Sequence, residues 1–283
     1  MTISGKAKLA GVMGWPIGHS RSPRLHGYWL AHYGIDGAYV PLAVSPERCE
    51  MAIRALPALG FRGCNVTVPL KEIAYRTVDR LDRTAQRMGA VNTIVVHDDG
   101  TLEGGNTDGF GFLQNLQAGC PDWSAERGPA VVVGAGGAAR AVVVALLDAG
   151  APEVRLINRT MARAEELAEE LAATLDGPVT VADWVSRETV LEGASLLVNT
   201  TTQGMVGQPA LDLDLRALPV SAVVNDIVYV PLETPLLAAA RLRGNRVVDG
   251  IGMLLHQARP GFKAWFGMEP KVTPELTRFV LEG

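Results

Sequence analysis

The chain has 283 residues, with 26 Lys and Arg against 30 Asp and Glu, giving a formal net charge of −4. At about 150 residues per domain that length predicts two domains, and a mildly acidic chain lacks the basic footprint of a protein that binds nucleic acid or an anionic membrane. Hydrophobic residues make up 48% and charged residues 20%, the balance of a globular protein rather than a disordered one, and no apolar run reaches the roughly 18–20 residues that span a bilayer.

In chain order, residues 8–14 read as a strand and 22–33 as a helix, with Ser22 as N-cap and Pro23 in the first turn. A strand at 38–44, a helix at 47–59 closed by Pro57 and Gly60, and a strand at 61–68 follow. Two short helices near 70–75 and 81–88 lead to a hairpin, 90–96 with 102–105, around the turn Asp98-Asp99-Gly100. Residues 107–118 read as a helix, and the turn-rich stretch 119–129 (GCPDWSAERGP) predicts the end of the first domain. Beyond it strands at 130–133, 154–157, 179–182, 195–200, 222–228 and 246–248 alternate with helices at 138–148, 161–175 and 233–242. Such alternation calls for a parallel sheet with helices on its faces. Residues 251–265 look helical but contain Pro260, which predicts a kink or a split. Thr273 and Pro274 start a last helix.

The first twenty residues hold two lysines but no continuous apolar core after them, so no signal peptide is expected. Cys49, Cys64 and Cys120 are odd in number and widely spaced, which predicts neither a disulfide framework nor a zinc site and fits a reducing cytoplasm. His19, His26, His32, His97 and His256 show no metal-ligand spacing, so no metal is expected, and no G-x-S-x-G elbow points to a serine hydrolase.

The sharpest local signal is Val131-Val132-Val133-Gly134-Ala135-Gly136-Gly137-Ala138-Ala139, a G-x-G-x-x-A turn between a strand and a helix. Gly134 permits the tight turn, Gly136 lets a pyrophosphate approach the backbone, and Ala139 lets helix and strand pack closely. The helix N-terminus then offers free N–H groups to the phosphates, so this context points to a dinucleotide rather than to an ordinary βα turn. An NAD site places a carboxylate at the end of the next strand to bond the ribose 2′-hydroxyl. Here the residues are Asn158-Arg159-Thr160, with Arg163 one helical turn further. A planar guanidinium suits a 2′-phosphate, so the expected cofactor is NADP; two solvated surface arginines are the bland alternative.

The first domain gathers His19-Ser20-Arg21-Ser22, Asn65-Val66-Thr67 with Lys71, Asn92-Thr93 and Asn106-Thr107-Asp108, mostly where strands end. In open α/β sheets the ligand crevice lies beyond the carboxyl ends of the strands. Hydroxyls, amides, one lysine and one aspartate suit a small polyhydroxy acid. Singly, each has a plain reading as a cap, a turn former or a surface lysine; the case rests on their recurrence.

These segments together resemble the shikimate dehydrogenase family. The matching runs are GWPIGHSRSPRLH at 14–26, NVTVPLK at 65–71, GAVNT at 89–93, GGNTDGFGF at 104–112, VVGAGGAARA at 132–141, NRT at 158–160, NTTTQGM at 199–205, DIVYVPLETPLL at 226–237 and DGIGMLLHQA at 249–258. Trp15 and Gly27 stand where many members have Asn. The resemblance implies reversible reduction of 3-dehydroshikimate to shikimate with NADPH, in aromatic amino-acid biosynthesis. It implies an α/β fold of two domains with a cleft between them. An N-terminal substrate and catalytic domain with a mostly parallel sheet would span residues 1–118, with C-terminal helices from about 254–283 packing back on it. A Rossmann-like NADP domain would span 119–253. It further implies that Ser20 and Ser22 hold the substrate carboxylate, that Asn65, Thr67, Asn92, Asp108 and Gln257 bind ring hydroxyls, and that Lys71 and Asp108 form the catalytic pair. Tyr229 would sit at the substrate edge. The cofactor set would be Gly134, Ala135, Gly136, Gly137, Ala138, Asn158, Arg159, Thr160, Arg163, Thr200 and Ile227, with Gly250 and Met253 near the nicotinamide. A monomer or homodimer is implied. The rival readings are a quinate or aminoshikimate dehydrogenase, an enzyme of folate carbon units, and a non-catalytic NADP-binding regulator. The polar Asn/Thr/Asp set fits a polyol acid better than a pterin, and a regulator needs neither Lys71 nor Asp108.

Overall fold

The computed structural model describes residues 3–175 and 177–282. Met1, Thr2, Asp176 and Gly283, which include the outer limits of the expected domain segments, lie outside the described residues. The chain forms two compact units, one running up to Thr107 and resuming at Leu255, the other spanning Asp108–Leu254.

The first unit is built in order from β1 (Lys8–Gly14), α1 (Ser22–His32), β2 (Gly37–Ala43), α2 (Cys49–Ala55), β3 (Phe61–Val66), α3 (Lys71–Thr77), β4 (Arg80–Leu81), α4 (Arg83–Met88), β5 (Thr93–Val96) and β6 (Leu102–Gly105). Its six-stranded sheet has the order β2-β1-β3-β5-β6-β4. β1 runs parallel to β2 and β3, and β4 parallel to β6, while β5 runs antiparallel to both β3 and β6. The antiparallel register puts Asn65, near the end of β3, opposite Thr93 at the start of β5. One core cluster of Met13, Ile53, Cys64, Val66, Leu70, Ile94 and Leu102 packs α2, α3 and α4 onto the sheet.

Several local expectations are corrected. Ser22 is the first residue of α1 and not its N-cap; Arg21 holds the cap position, and no side chain caps the helix. Arg21 already has helical backbone, with φ −84° and ψ −6°, so Ser22 lies inside the first turn rather than at its edge. The expected helix 47–59 is a 3-10 turn at Pro46–Arg48 followed by α2, which stops at Ala55. Pro57 has no N–H to give to the Ile53 carbonyl, which Leu56 N takes at 3.2 Å instead, so the helical ladder stops earlier than the apolar pattern suggests. Leu81 belongs to the short edge strand β4, and Asp82 caps α4 by accepting from Ala85 N at 2.6 Å.

The second unit continues with α5 (Asp108–Gly119), β7 (Ala130–Val133), α6 (Gly137–Asp148), β8 (Val154–Ile157), α7 (Met161–Ala172), β9 (Val179–Ala182), β10 (Leu196–Asn199), β11 (Val223–Asp226), α8 (Pro235–Leu242) and β12 (Arg246–Val248). α9 (Ile251–Phe266) carries the chain back into the first unit, which α10 (Pro274–Leu281) completes. The second sheet has the order β12-β11-β10-β7-β8-β9 and every pair is parallel. β7, β10 and β11 are buried at every residue, as strands covered on both faces must be. The strand order reverses between β7 and β10, which is where a doubly wound sheet opens a ligand crevice.

α5 was expected in the first domain, ending at residue 118. It groups with the second unit because it packs on α6 and β12, and because Asn115 Nδ2 donates to the Asp249 carbonyl at 2.6 Å. α9 is one continuous helix through Pro260 rather than two. Ala258, Phe262, Trp265 and Phe266 are buried along it, and that packing outweighs the single backbone hydrogen bond a proline removes. Thr273 caps α10 as expected, accepting from Leu276 N at 3.3 Å. No helix among the described residues is long and apolar enough to cross a membrane.

His26 lies fully buried in the aromatic layer of the first unit, stacked on Tyr39 with ring centroids 3.8 Å apart and 3° between planes. Trp29, Phe262 and Trp265 surround it, and neither ring nitrogen has a hydrogen-bond partner among the described residues. Burial lowers its pKa to about 3, and burial lowers that of His256 to about 4. The unfolded chain therefore takes up protons below the ordinary histidine pKa of about 6.5, while the folded chain does not. Stability from these two groups is complete above that pH and declines as the pH falls toward 4. His26→Phe should remove one of the two contributions. Denaturant midpoints at pH 7 and pH 5 should show the wild type losing about 1–2 kcal/mol more than His26→Phe; equal losses would show that His26 is not the group responsible.

Candidate active site

In the first unit a closed polar cluster sits at the carboxyl end of β3. Asn65 and Asn92 are only 6% and 2% exposed, so their amides must be paired within the protein. Tyr39 Oη donates to Asn65 Oδ1 at 2.6 Å. Asn65 Nδ2 donates to the Asn92 carbonyl and to Thr93 Oγ1, each at 3.1 Å. Thr93 Oγ1 passes its proton to Asn92 Oδ1 at 2.9 Å, which also accepts from Thr107 N at 2.9 Å. With its oxygen occupied in this way, Asn92 turns Nδ2 toward Gln257 Oε1, 3.4 Å away. The Thr107 hydroxyl donates to the Gln257 carbonyl at 2.8 Å and so fixes the turn of α9 that carries Gln257.

The remaining expected residues of this unit border the same backbone. Ser20, half-buried, accepts from Ser22 N at 3.3 Å. Thr67 is tied to β1 through its N–H, which donates to the Met13 carbonyl at 2.9 Å. Lys71 is the first residue of α3, half-buried, and its carbonyl accepts from Val91 N at 3.0 Å, next to Asn92. A cation gains nothing from the dipole at a helix start, so packing within the helix does not explain a lysine there.

In the second unit the carboxyl ends of β7, β8 and β10 surround a cleft lined by Val133, Gly134, Ala135, Gly136, Asn158, Arg159, Arg163, Trp184 and Thr200 to Gln203. Gly134 has φ +115°, and a Cβ there would lie 2.5 Å from Thr200 Oγ1. Thr200 is held at the crevice by its own hydroxyl, which donates to the Val133 carbonyl at 2.7 Å. Above Gly136 and Gly137 no protein atom lies within 4 Å of an added Cβ, and no side chain caps the start of α6. Open space over uncapped backbone N–H groups is what a pyrophosphate needs. Arg159 and Arg163 are both exposed, and Asn158 Nδ2 closes their turn by donating to the Thr160 carbonyl at 2.8 Å. Two guanidinium groups with no carboxylate at the end of β8 match the 2′-phosphate of NADP. Of the expected cofactor residues, the cleft lining gathers Gly134, Ala135, Gly136, Asn158, Arg159, Arg163 and Thr200. Gly137 and Ala138 belong to the first turn of α6, and Thr160 holds the N-cap position of α7.

The loop after β11 carries Ile227 and Tyr229, both half-buried. Asp226 is wholly buried and accepts from Asn199 Nδ2 at 3.0 Å, Val228 N at 3.0 Å and Thr234 Oγ1 at 2.7 Å. Burial raises its pKa, opposed by these three hydrogen bonds. Asn199 in turn accepts from Thr201 N at 3.0 Å and Thr201 Oγ1 at 2.8 Å. Asn199 and Asp226 are partners in the β10–β11 register, so one buried pair sets both the 200–203 loop and the 227–229 loop. Gly250 lies against the same segment, where a Cβ would meet the Ile227 carbonyl oxygen at 2.2 Å. Met253, half-buried, follows in the first turn of α9, and Asp108 opens α5.

Sequence reasoning gathered Thr93 and Thr107 in the polar segments without giving either a role, and it missed Tyr39 in the polar cluster and Trp184 as a wall of the cleft. Thr93 and Thr107 stood inside quoted motifs, next to Asn92 and Asp108. Tyr39 and Trp184 gave no local signal, because each reaches its site only through the fold.

Family models match the chain twice: residues 12–94 fit the shikimate dehydrogenase substrate binding domain, and residues 121–201 fit shikimate / quinate 5-dehydrogenase. The shikimate dehydrogenase (NADP(+)) of Paramagnetospirillum magneticum is 66% identical over 279 residues, covering 99% of this chain and all of that protein. That of Rhodospirillum rubrum is 64% identical over 99% of each chain. The crystal structure of Thermus thermophilus shikimate 5-dehydrogenase with NADP(H) and shikimate superposes with a TM-score of 0.84 at 36% identity, covering 97% of this chain and 99% of that one. With both units matched and near-complete coverage at two-thirds identity, the chain belongs to the shikimate dehydrogenase family.

Proposed function

We propose that the chain catalyses the NADPH-dependent, reversible reduction of 3-dehydroshikimate to shikimate, an oxidoreductase step of aromatic amino-acid biosynthesis. The observation that carries this reading is the closed cluster of Asn65, Asn92 and Gln257 beside Lys71, in a chain whose second unit ends β8 in Arg159 rather than a carboxylate. In it the first unit binds the substrate and the second the cofactor. The quinate, folate and regulator readings are not favoured, because near-full-length relatives bear the shikimate dehydrogenase (NADP(+)) name.

When bound, the dihydronicotinamide supplies the hydride. Lys71 donates a proton to the ring carbonyl oxygen as negative charge develops there, and in the reverse direction takes it back. Asp108 supplies the counter-charge and, with Asn65, Thr67, Asn92 and Gln257, binds the ring hydroxyls. Ser20 and Ser22 take the carboxylate. Arg159, helped by Arg163, takes the 2′-phosphate, and the backbone around Gly134, Ala135, Gly136, Gly137 and Ala138 takes the pyrophosphate. Asn158, Thr160 and Thr200 shape the adenosine side, while Ile227, Tyr229, Gly250 and Met253 border the nicotinamide and the substrate edge. The same reading places the enzyme in the cytoplasm, where its three buried, unpaired cysteines stay reduced.

An absorbance assay at 340 nm with shikimate or quinate, each with NADP⁺ or NAD⁺, tests the reading. Fast reduction is expected with shikimate and NADP⁺, and silence with that pair would overturn it. Lys71→Ala should lower kcat by about 10²–10⁴, the usual worth of a positioned acid, with KM for shikimate changed little; an unchanged kcat would remove Lys71 from the chemistry. Arg159→Ala should weaken NADPH binding by about tenfold or more while leaving NADH binding unaltered, as a charge-assisted bond to the 2′-phosphate requires. Equal effects on the two cofactors would count against that contact.

A further inference from the structure

Among the described residues that line the cleft of the second unit, Trp184 alone is aromatic. It stands two residues after β9, the strand that pairs with β8 at the edge of the second sheet. Asp183 Oδ1 accepts from Ser186 N at 2.8 Å and closes the turn around it. The indole is half-buried. It packs against the core cluster that includes Val131, Leu197 and Leu236, and it also faces the cleft together with Arg159 and Arg163.

Arg187 holds the indole in that place. Its guanidinium lies over the ring, 5.3 Å from the centroid. Its Nη1 donates to the Trp184 carbonyl at 3.0 Å, its Nε to the Asp212 carbonyl at 2.9 Å and its Nη2 to the Asp212 carboxylate at 3.0 Å. The turn after β9 is thereby tied to the segment around Asp212. Core packing and a cation on the ring leave the side chain little rotamer freedom to lose when a ligand arrives.

The chemistry of a dinucleotide says what would meet such a surface. In the cofactor reading given above, the uncapped start of α6 takes the pyrophosphate, and Arg159 with Arg163 takes the 2′-phosphate. The 2′-phosphate and the adenine hang from adjacent carbons of one ribose, so the base belongs beside the two arginines. Outward from β8 the next strand end is that of β9, where Trp184 stands. A purine has two π faces and little charge, and a fixed indole is a surface on which a flat ring stacks well.

We propose that Trp184 is an adenine-binding residue: its indole, braced by Arg187 and by the core, stacks on the adenine of the dinucleotide. The inference rests on the cofactor reading given above. It divides the work at this end of the cleft, since the arginines select the 2′-phosphate while the indole adds affinity that NADPH and NADH share.

Calorimetric binding of NADPH and of adenosine 2′,5′-bisphosphate to the wild type is measured first, since a failure to bind either would sink the cofactor reading rather than this inference. Given a wild type that binds, Trp184→Ala should raise the Kd of NADPH, NADH and adenosine 2′,5′-bisphosphate by one common factor of about tenfold, the usual worth of a base stacked on an aromatic side chain. Trp184→Phe should recover binding to within about threefold of wild type, because a smaller aromatic face remains. KM for shikimate at saturating NADP⁺ should stay within about twofold, because no group assigned to the substrate is altered. Adenosine 2′,5′-bisphosphate should quench the tryptophan emission of the wild type. Trp184→Phe keeps Trp15, Trp29, Trp123 and Trp265 and should lose most of that quench. A role confined to stability would lower the melting temperature of Trp184→Ala and leave the Kd of its folded fraction within twofold of wild type, which would overturn the proposal. A loss confined to NADPH, equal losses in the Ala and Phe variants, or a quench that survives in Trp184→Phe would overturn it as well. Should Trp184→Ala fail to fold, the quench in Trp184→Phe decides the matter alone.

Discussion

A polar atom shut away from water has to find a partner inside the protein, and that constraint organises both units at the ends of their strands. Asn65 and Asn92 are such groups in the first unit, and Asn199 and Asp226 in the second. Each leaves donors and acceptors that the sheet ladder does not use. The loops that follow the strands close those bonds, and the same loops carry the residues proposed above for substrate and cofactor. Loop shape here follows from hydrogen-bond accounting at the sheet edge more than from loop length or composition.

Polar groups that the fold already holds in place need not reorganise when a ligand arrives. Asn92 and Gln257 are held from behind by Thr93 and Thr107. In the second unit, Thr200 is anchored to Val133, and Asp226 spends all three of its hydrogen bonds on the loop and strand around it. Discrimination follows from the same property. A ring lacking a hydroxyl would leave a positioned buried group unpaired, and that penalty is steeper than the loss of one favourable contact.

Much of the fold could be read from periodicity and punctuation. The run Ala130–Val133 followed by Gly134 and Gly136 placed a strand, a glycine turn and a helix correctly, because backbone freedom and close approach are properties of the residue itself. Arg159 after β8 could be read in the same way, since charge and position after a strand are both local. Errors arose where two local preferences competed and a distant group decided. Ser22 is a good N-cap by type, but Arg21 before it already has helical backbone, so the serine falls inside the helix. Pro260 allowed a kink or a split by type, and the split does not occur because buried aromatic contacts along α9 hold the helix through it. α5 follows the first sheet in sequence, yet its packing on α6 and β12 ties it to the second unit.

The sequence by itself determined the alternation of strands and helices, the glycine turn, the arginines after β8 and the set of polar side chains, because each of these is written in residue type and short-range spacing. Only the tertiary structure decided how those side chains are wired. Tyr39 and Asn65 are 26 residues apart, Asn92 and Gln257 are 165 apart, and Asn199 and Asp226 are 27 apart. Their hydrogen bonds exist because strand pairing and the return of α9 to the first unit bring distant segments together, and no local pattern encodes which amide will face which.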